Sequence, residues 1–207
     1  MKIYALAATA ALLLAAAPGA HAQRRAAQSA TAPNNAPSAP ADPGRLDYRN
    51  AAADALIPAE AAKRQPITDD LQATVVELLE LYHDSKQSHW NLRGPLFLSL
   101  HEQLQDNADE YRKYTDILAE RVLQVGNPID GRTGVVAATA NLGDFPGGYL
   151  SDKQVLAVTT ERINTVARRV RQRIDHQGQV DETTSNLLQE LSYALDKQVW
   201  KFRVMQQ

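Results

Sequence analysis

Four stretches of this chain repeat apolar residues at steps of three and four, a period that only α-helices bury efficiently. The first opens at Pro66 and Thr68, carries Leu71, Val75, Leu78 and Tyr82, and stops at Asn91 and Gly94. The second, from about Pro95 to Val125, aligns Phe97, Leu100, Leu104, Ala108, Tyr111, Leu118, Val122 and Val125. The third follows the cap Ser151 and carries Val155, Ile163, Val166, Val170 and Ile174 before Gly178. The fourth starts near Asp181 and aligns Leu187, Leu191, Leu195, Gln198, Phe202 and Met205. Four amphipathic helices must cover one another's stripes, so the expected fold is an all-α four-helix bundle. Composition agrees: with 10 Gly and 3 Phe in 207 residues, the chain is built mainly from residues that lose little freedom in a helix.

The connections restrict the topology. A tight Arg93-Gly94-Pro95 turn makes the first two helices antiparallel neighbours, and Gly178 to Val180 does the same for the last two. Between helices two and three, about 25 residues from Gly126 to Leu150, with a short helix expected around Val135 to Ala140, suffice to cross the length of the bundle.

Residues upstream divide in two. Lys2, the Ala/Leu run Ile3 to Ala17 and the small residues of Ala20-His21-Ala22 form a signal peptide over residues 1–22, cleaved after Ala22. That run is short of the roughly 20 apolar residues that span a bilayer, which argues against a membrane anchor. Residues 23–65, with Pro33, Pro37, Pro40, Pro43 and Pro58, are expected to be a flexible leader, and residues 66–207 the folded domain. The chain has no cysteine to carry a lipid or a disulfide. A periplasmic or secreted protein is expected. A net charge of -2 gives no global attraction to nucleic acid, and Arg24 and Arg25 are too few to act as a phosphate-binding tail.

Chemistry concentrates on the second helix. His101, Gln105, Arg112, Asp116 and Glu120 form a polar stripe rotated about 100° from the core stripe. Asp116 and Glu120, four residues apart, can converge on one cation, and carboxylates joined by an imidazole favour iron. His101 lies about 22 Å away along an ideal helix. His89 is on the preceding helix, so a complete site needs another chain. A conventional di-iron centre within one subunit would need two Glu-x-x-His tetrads facing the core. Glu80 to His83 is the one such tetrad, and both are read as surface residues. Taken singly, His89 also suits a buried structural role and Asp116 with Glu120 a solvated pair. Trp90 suits packing or the interception of oxidising radicals. Arg162, Arg168, Arg169, Arg171 and Arg173 suit a solvated or subunit-contact face.

Together these residues resemble a known family. The run Lys86-Gln87-Ser88-His89-Trp90-Asn91-Leu92-Arg93-Gly94-Pro95-Leu96-Phe97, then Leu100-His101-Glu102 and Asp116-Ile117-Leu118-Ala119-Glu120-Arg121, is similar to the signature of the Dps proteins, mini-ferritins of the ferritin-like superfamily. The likeness extends over roughly Thr68 to Met205, including Leu195 to Trp200. It implies a ferritin-like bundle and a ferroxidase that oxidises ferrous iron with hydrogen peroxide or dioxygen. It also implies twelve identical subunits around a storage cavity and protection against oxidative stress. By the same resemblance, Asp116 and Glu120 of one subunit and His89 of a twofold-related one bind the first iron, while His101 assists a second. Gln105 stands where the family usually has an aspartate, which implies a weaker second position. The Pro/Ala leader replaces the lysine-rich tail that some members use on DNA, and with export it makes DNA an unexpected partner. The alternative expectation is a non-enzymatic helical assembly that sequesters metal or serves as structure.

Overall fold

The computed structural model describes residues 54–207. Its elements are α1 (Ala61–Asn91), β1 (Leu92–Arg93), α2 (Phe97–Gln124), α3 (Thr133–Thr139), β2 (Leu150–Ser151), α4 (Asp152–Val180) and α5 (Glu182–Val204). The four long helices are those the apolar period predicts, and α3 is the short helix expected inside the crossover. Helix α1 packs against α2 and α4 against α5, as their short connections require, and α1 also lies along α4. Strands β1 and β2 pair in parallel, Leu92 opposite Leu150 and Arg93 opposite Ser151, which ties the end of the crossover to the α1–α2 turn.

The core is the set of predicted stripes. Leu71, Leu78, Leu104, Tyr111, Leu118, Ile163, Val170, Leu191 and Phe202 are fully buried. Gln198, a polar member of the fourth stripe, is tolerated there because its amide is satisfied at both ends. It accepts from the Tyr111 hydroxyl (2.5 Å) and donates to Glu110 Oε2 (2.7 Å).

Two helix ends differ from expectation. Helix α1 begins at Ala61, not at Pro66, and runs through the proline. The turn before it is held by local side-chain bonds: Arg64 donates to Ala59 O (3.1 Å) and Asp54 O (3.4 Å), and Ala59 is buried. These bonds offset the backbone donor that Pro66 lacks. The last part of the expected leader, from Asp54, is therefore structured, whereas residues 1–53, with the signal peptide, lie outside the described residues. Helix α4 likewise passes through Gly178 to Val180. A glycine inside a helix costs about 1 kcal/mol relative to alanine. Buried Gln177, bonded to Pro66 O (3.2 Å) and Asp70 Oδ2 (2.7 Å), and the cap Asp181 hold the last turn in place.

The basic face of α4 is also corrected. Arg162, Arg169 and Arg173 do not form a solvated face but turn inward onto α1. Arg162 pairs with Asp84 (3.0 Å), and Glu77 receives both Arg169 (2.9 Å) and Arg173 (2.5 Å). Arg162 also donates to Gly143 O (2.9 Å), and Arg169 to Ala140 O and Asn141 O (3.0 Å each), so two guanidiniums hold the crossover. Burial raises the Asp84 carboxyl to about 7 against the pull of Arg162, and the neighbouring Glu80 adds to the rise. Arg168 and Arg171 remain exposed, Arg171 paired with Asp196.

Candidate metal centre

Helix α1 ends and α2 begins with only Leu92 to Leu96 between them, so the last turn of one faces the first turns of the other. This brings His89 and His101 into contact. Their rings stack with centroids 3.6 Å apart and planes 18° apart, and the Phe97 ring stacks on His101 at 4.9 Å. Each imidazole bonds the other residue's main chain: His89 Nδ1 lies 2.9 Å from His101 O, and His101 Nδ1 lies 3.0 Å from His89 O. A carbonyl oxygen can only accept, so both Nδ1 atoms carry the proton. Each Nε2 is then a lone-pair donor, and neither has a hydrogen-bond partner among the described residues. A hydrogen bond that fixes the tautomer through one ring nitrogen prepares the other for a metal. Burial lowers the His89 pKa, its bond to the His101 carbonyl offsets part of this, and the charges of His101 and Lys86 lower it further, which favours the neutral form a metal requires.

Gln105 lies one turn beyond His101 and is bonded at both ends of its amide. Lys86 Nζ donates to its Oε1 (2.6 Å), and its Nε2 donates to Asp109 Oδ2 (2.9 Å). The ammonium thus takes one of the two lone pairs of Oε1 and places a positive charge where a second cation would bind. Lys86 also lies 5.5 Å from the centroid of the exposed Trp90 ring. The sequence offered one signal for Lys86, its place three residues before His89, but nothing in periodicity assigned it a partner on the next helix.

Asp116 and Glu120 are exposed on α2, fifteen residues or more beyond His101, and neither enters an ion pair or side-chain hydrogen bond among the described residues. At 1.5 Å per residue this is about 22 Å of helix. The structure therefore unites His89, His101, Gln105 and Trp90 at one end of α2 and leaves Asp116 and Glu120 at the other. Among the described residues of one chain, no three His, Asp or Glu side chains converge on a common point. Glu80 and His83 line an open cleft with Asp84, Lys86, Trp90 and Phe145, which adjoins the histidine end and lies away from Asp116 and Glu120.

Known proteins share this fold. A ferritin-like domain model matches residues 68–207. The chain is 42% identical over 137 residues to DNA protection during starvation protein 2 of Deinococcus radiodurans, a match covering 66% of this chain and 57% of that protein. The crystal structure of Dps92 from Deinococcus radiodurans superposes with a TM-score of 0.68 at 40% identity, over 70% of this chain and 87% of the other. Dps from Microbacterium arborescens in its high iron form gives 0.68 at 26% identity, over 71% and 96%.

Proposed function

This chain belongs to the Dps branch of the ferritin-like family, and on that footing we propose that it binds ferrous iron as a substrate, oxidises it and stores the ferric product inside an oligomeric cage. The observation that carries the reading is the split donor set along α2: at one end the imidazoles of His101 and of His89 from α1, at the other two carboxylates, with both Nε2 atoms and both carboxylates unpaired among the described residues. A second copy related by a twofold axis reverses α2, so that its histidine end meets the first copy's carboxylate end. Asp116 and Glu120 then hold ferrous iron together with His89 of the partner subunit, and His101 supports a second position. Carboxylate oxygens favour the ferric state, which is how this donor set promotes oxidation. Two ferrous ions give one electron each to hydrogen peroxide, which takes up two protons and leaves as two waters. Dioxygen is the alternative oxidant. The ferric ions hydrolyse to an oxide, returning protons to water. Trp90, beside the histidine end, is placed to intercept radicals.

Twelve subunits form the cage in this proposal, which protects against oxidative stress outside the cytoplasm. Export rests on the signal peptide read from residues 1–22, and the same feature argues against DNA as a partner. Within residues 54–207, no helix is long and apolar enough to cross a membrane. The test is to load purified protein anaerobically with ferrous iron, add peroxide and follow ferric absorbance. Asp116→Asn is expected to lower the rate about 100-fold, the upper range for disturbed metal ligation. Equal rates in the variant and the parent protein would remove the assignment and leave a non-enzymatic assembly.

A further inference from the structure

The pairing of His89 with His101 depends on the separation of two backbones, because each ring bonds the other's main-chain carbonyl. At 2.9 and 3.0 Å these bonds would be lost if α1 and α2 splayed by well under 1 Å. The turn between the helices is held from outside the hairpin, by the start of α4. Asp152 Oδ2 accepts from the Leu96 amide (3.4 Å), while its Oδ1 accepts from Lys153 N (2.8 Å) and so fixes the carboxylate on its own helix. Gly94, at φ +153°, passes so close that a Cβ there would lie 2.7 Å from Asp152 Cγ and Oδ2. The β1–β2 pairing and the Arg93 guanidinium, 3.2 Å above the centroid of the Tyr149 ring, close the other side of the same turn. Leu96 leads directly into Phe97, whose ring ends the stack on His101 and His89.

We propose that Asp152 is a positioning residue for the His89–His101 pair, setting the separation of the two imidazoles by clasping the α1–α2 turn to α4. It touches neither ring and acts through Leu96 and Phe97. The inference rests on the reading of these histidines as metal ligands, in that the clasp fixes where their Nε2 atoms stand.

Cobalt(II), which resists air oxidation, serves as the probe on the assembled full-length protein. Affinity and the d–d absorption band are read together with the His89–His101 ring separation in crystals of each variant. Asp152→Ala is expected to weaken cobalt binding about tenfold, as loss of an outer support does, to alter the band and to widen the stack. Gly94→Ala disturbs the same clasp from the opposite side and is expected to do likewise, so the test survives if one variant fails to fold. Asp152→Asn, which keeps an acceptor oxygen, restores near-parental binding. Ser151→Ala, which removes the capping box of the same helix, leaves binding and stack unchanged. Parental affinity and an unchanged stack in Asp152→Ala and Gly94→Ala would overturn the proposal, as would an equal loss in Ser151→Ala. If the parent protein binds no cobalt, the metal reading fails on its own. The ring separation then decides the clasp: a wider stack supports it, and an unchanged one overturns it.

Discussion

The two ends of α2 are built on opposite principles. At the N-terminal end side chains hold one another in place: each imidazole bonds the other residue's carbonyl through Nδ1, and Gln105 is fixed between Lys86 and Asp109. At the C-terminal end Asp116 and Glu120 stand exposed and, among the described residues, unpaired. The ordered end can keep its geometry in a single chain, because neutral rings and main-chain carbonyls satisfy one another. The carboxylate end cannot be preorganised in that way, since two nearby anions repel until a cation or a partner neutralises them. The proposed centre, divided between subunits, would therefore separate its rigid half from its charged half and be completed on assembly.

The largest effect that could break this contrast comes from mixed cages. His89→Ala subunits and Asp116→Asn subunits should each be nearly inactive alone. Co-assembled at random, they should recover about a quarter of the parental ferroxidase rate, because in a twofold pair one site of each mixed dimer regains both intact residues. No recovery, measured by ferric absorbance after mass spectrometry has verified mixing, would place both residues in one chain's site.

A smaller effect tests how fully the ordered end is closed to a second metal. Gln105→Asp alone should gain little, because the new carboxylate pairs with the Lys86 ammonium already in place. Combined with Lys86→Met, it should bind about one further ferrous ion per site, as carboxylate oxygen is the better ligand. Anaerobic titration calorimetry counts the ions. A full second ion in the single variant would show that Lys86 does not guard the position.

The smallest effect is in pH. An unperturbed imidazole would be half protonated at pH 6.5 and lose about twofold in metal affinity there. The folded pKa of His89 is depressed, so the neutral form persists as pH falls through that value, and affinity is lost only on further acidification. An unperturbed imidazole would lose about 1.8-fold between pH 7.5 and 6.5, so cobalt affinity should change by clearly less than that over this window. A larger loss would mean that the histidine end is less shielded from protons than its packing implies.

Much of this contrast was legible from spacing. The helices followed from apolar period, and the separation of His101 from Asp116 followed from fifteen residues at a fixed rise. The stacking of His89 on His101 was not, because twelve residues with a Gly-Pro turn set proximity but not ring orientation. Pro66 and Gly178 misled because side-chain bonds overrule both local helix breakers: Arg64 grips Ala59 and Asp54 just upstream, and Gln177 reaches Pro66 and Asp70, 111 and 107 residues earlier, which no local pattern records. The arginines of α4 look like a surface for the same reason. Their acids, Glu77 and Asp84, lie 78 or more residues earlier, and no helical projection of α4 contains them. With both partners of the Arg162–Asp84 pair largely buried, removing one alone would cost roughly 3–5 kcal/mol, which makes these residues part of the architecture.

Asp181 ends α4 and caps α5 by itself, its carboxylate accepting from the Thr184 amide (2.8 Å) and pairing with Arg121 (2.9 Å). A junction one residue long has no slack. Adding a residue there would turn α5 by about 100° about its axis and carry Leu188, Leu191, Leu195 and Phe202 out of register with the rest of the bundle. The crossover from Gly126 to Leu150 carries no such phase. Natural variation in the length of this domain should therefore collect in the crossover and leave the second hairpin invariant in residue count.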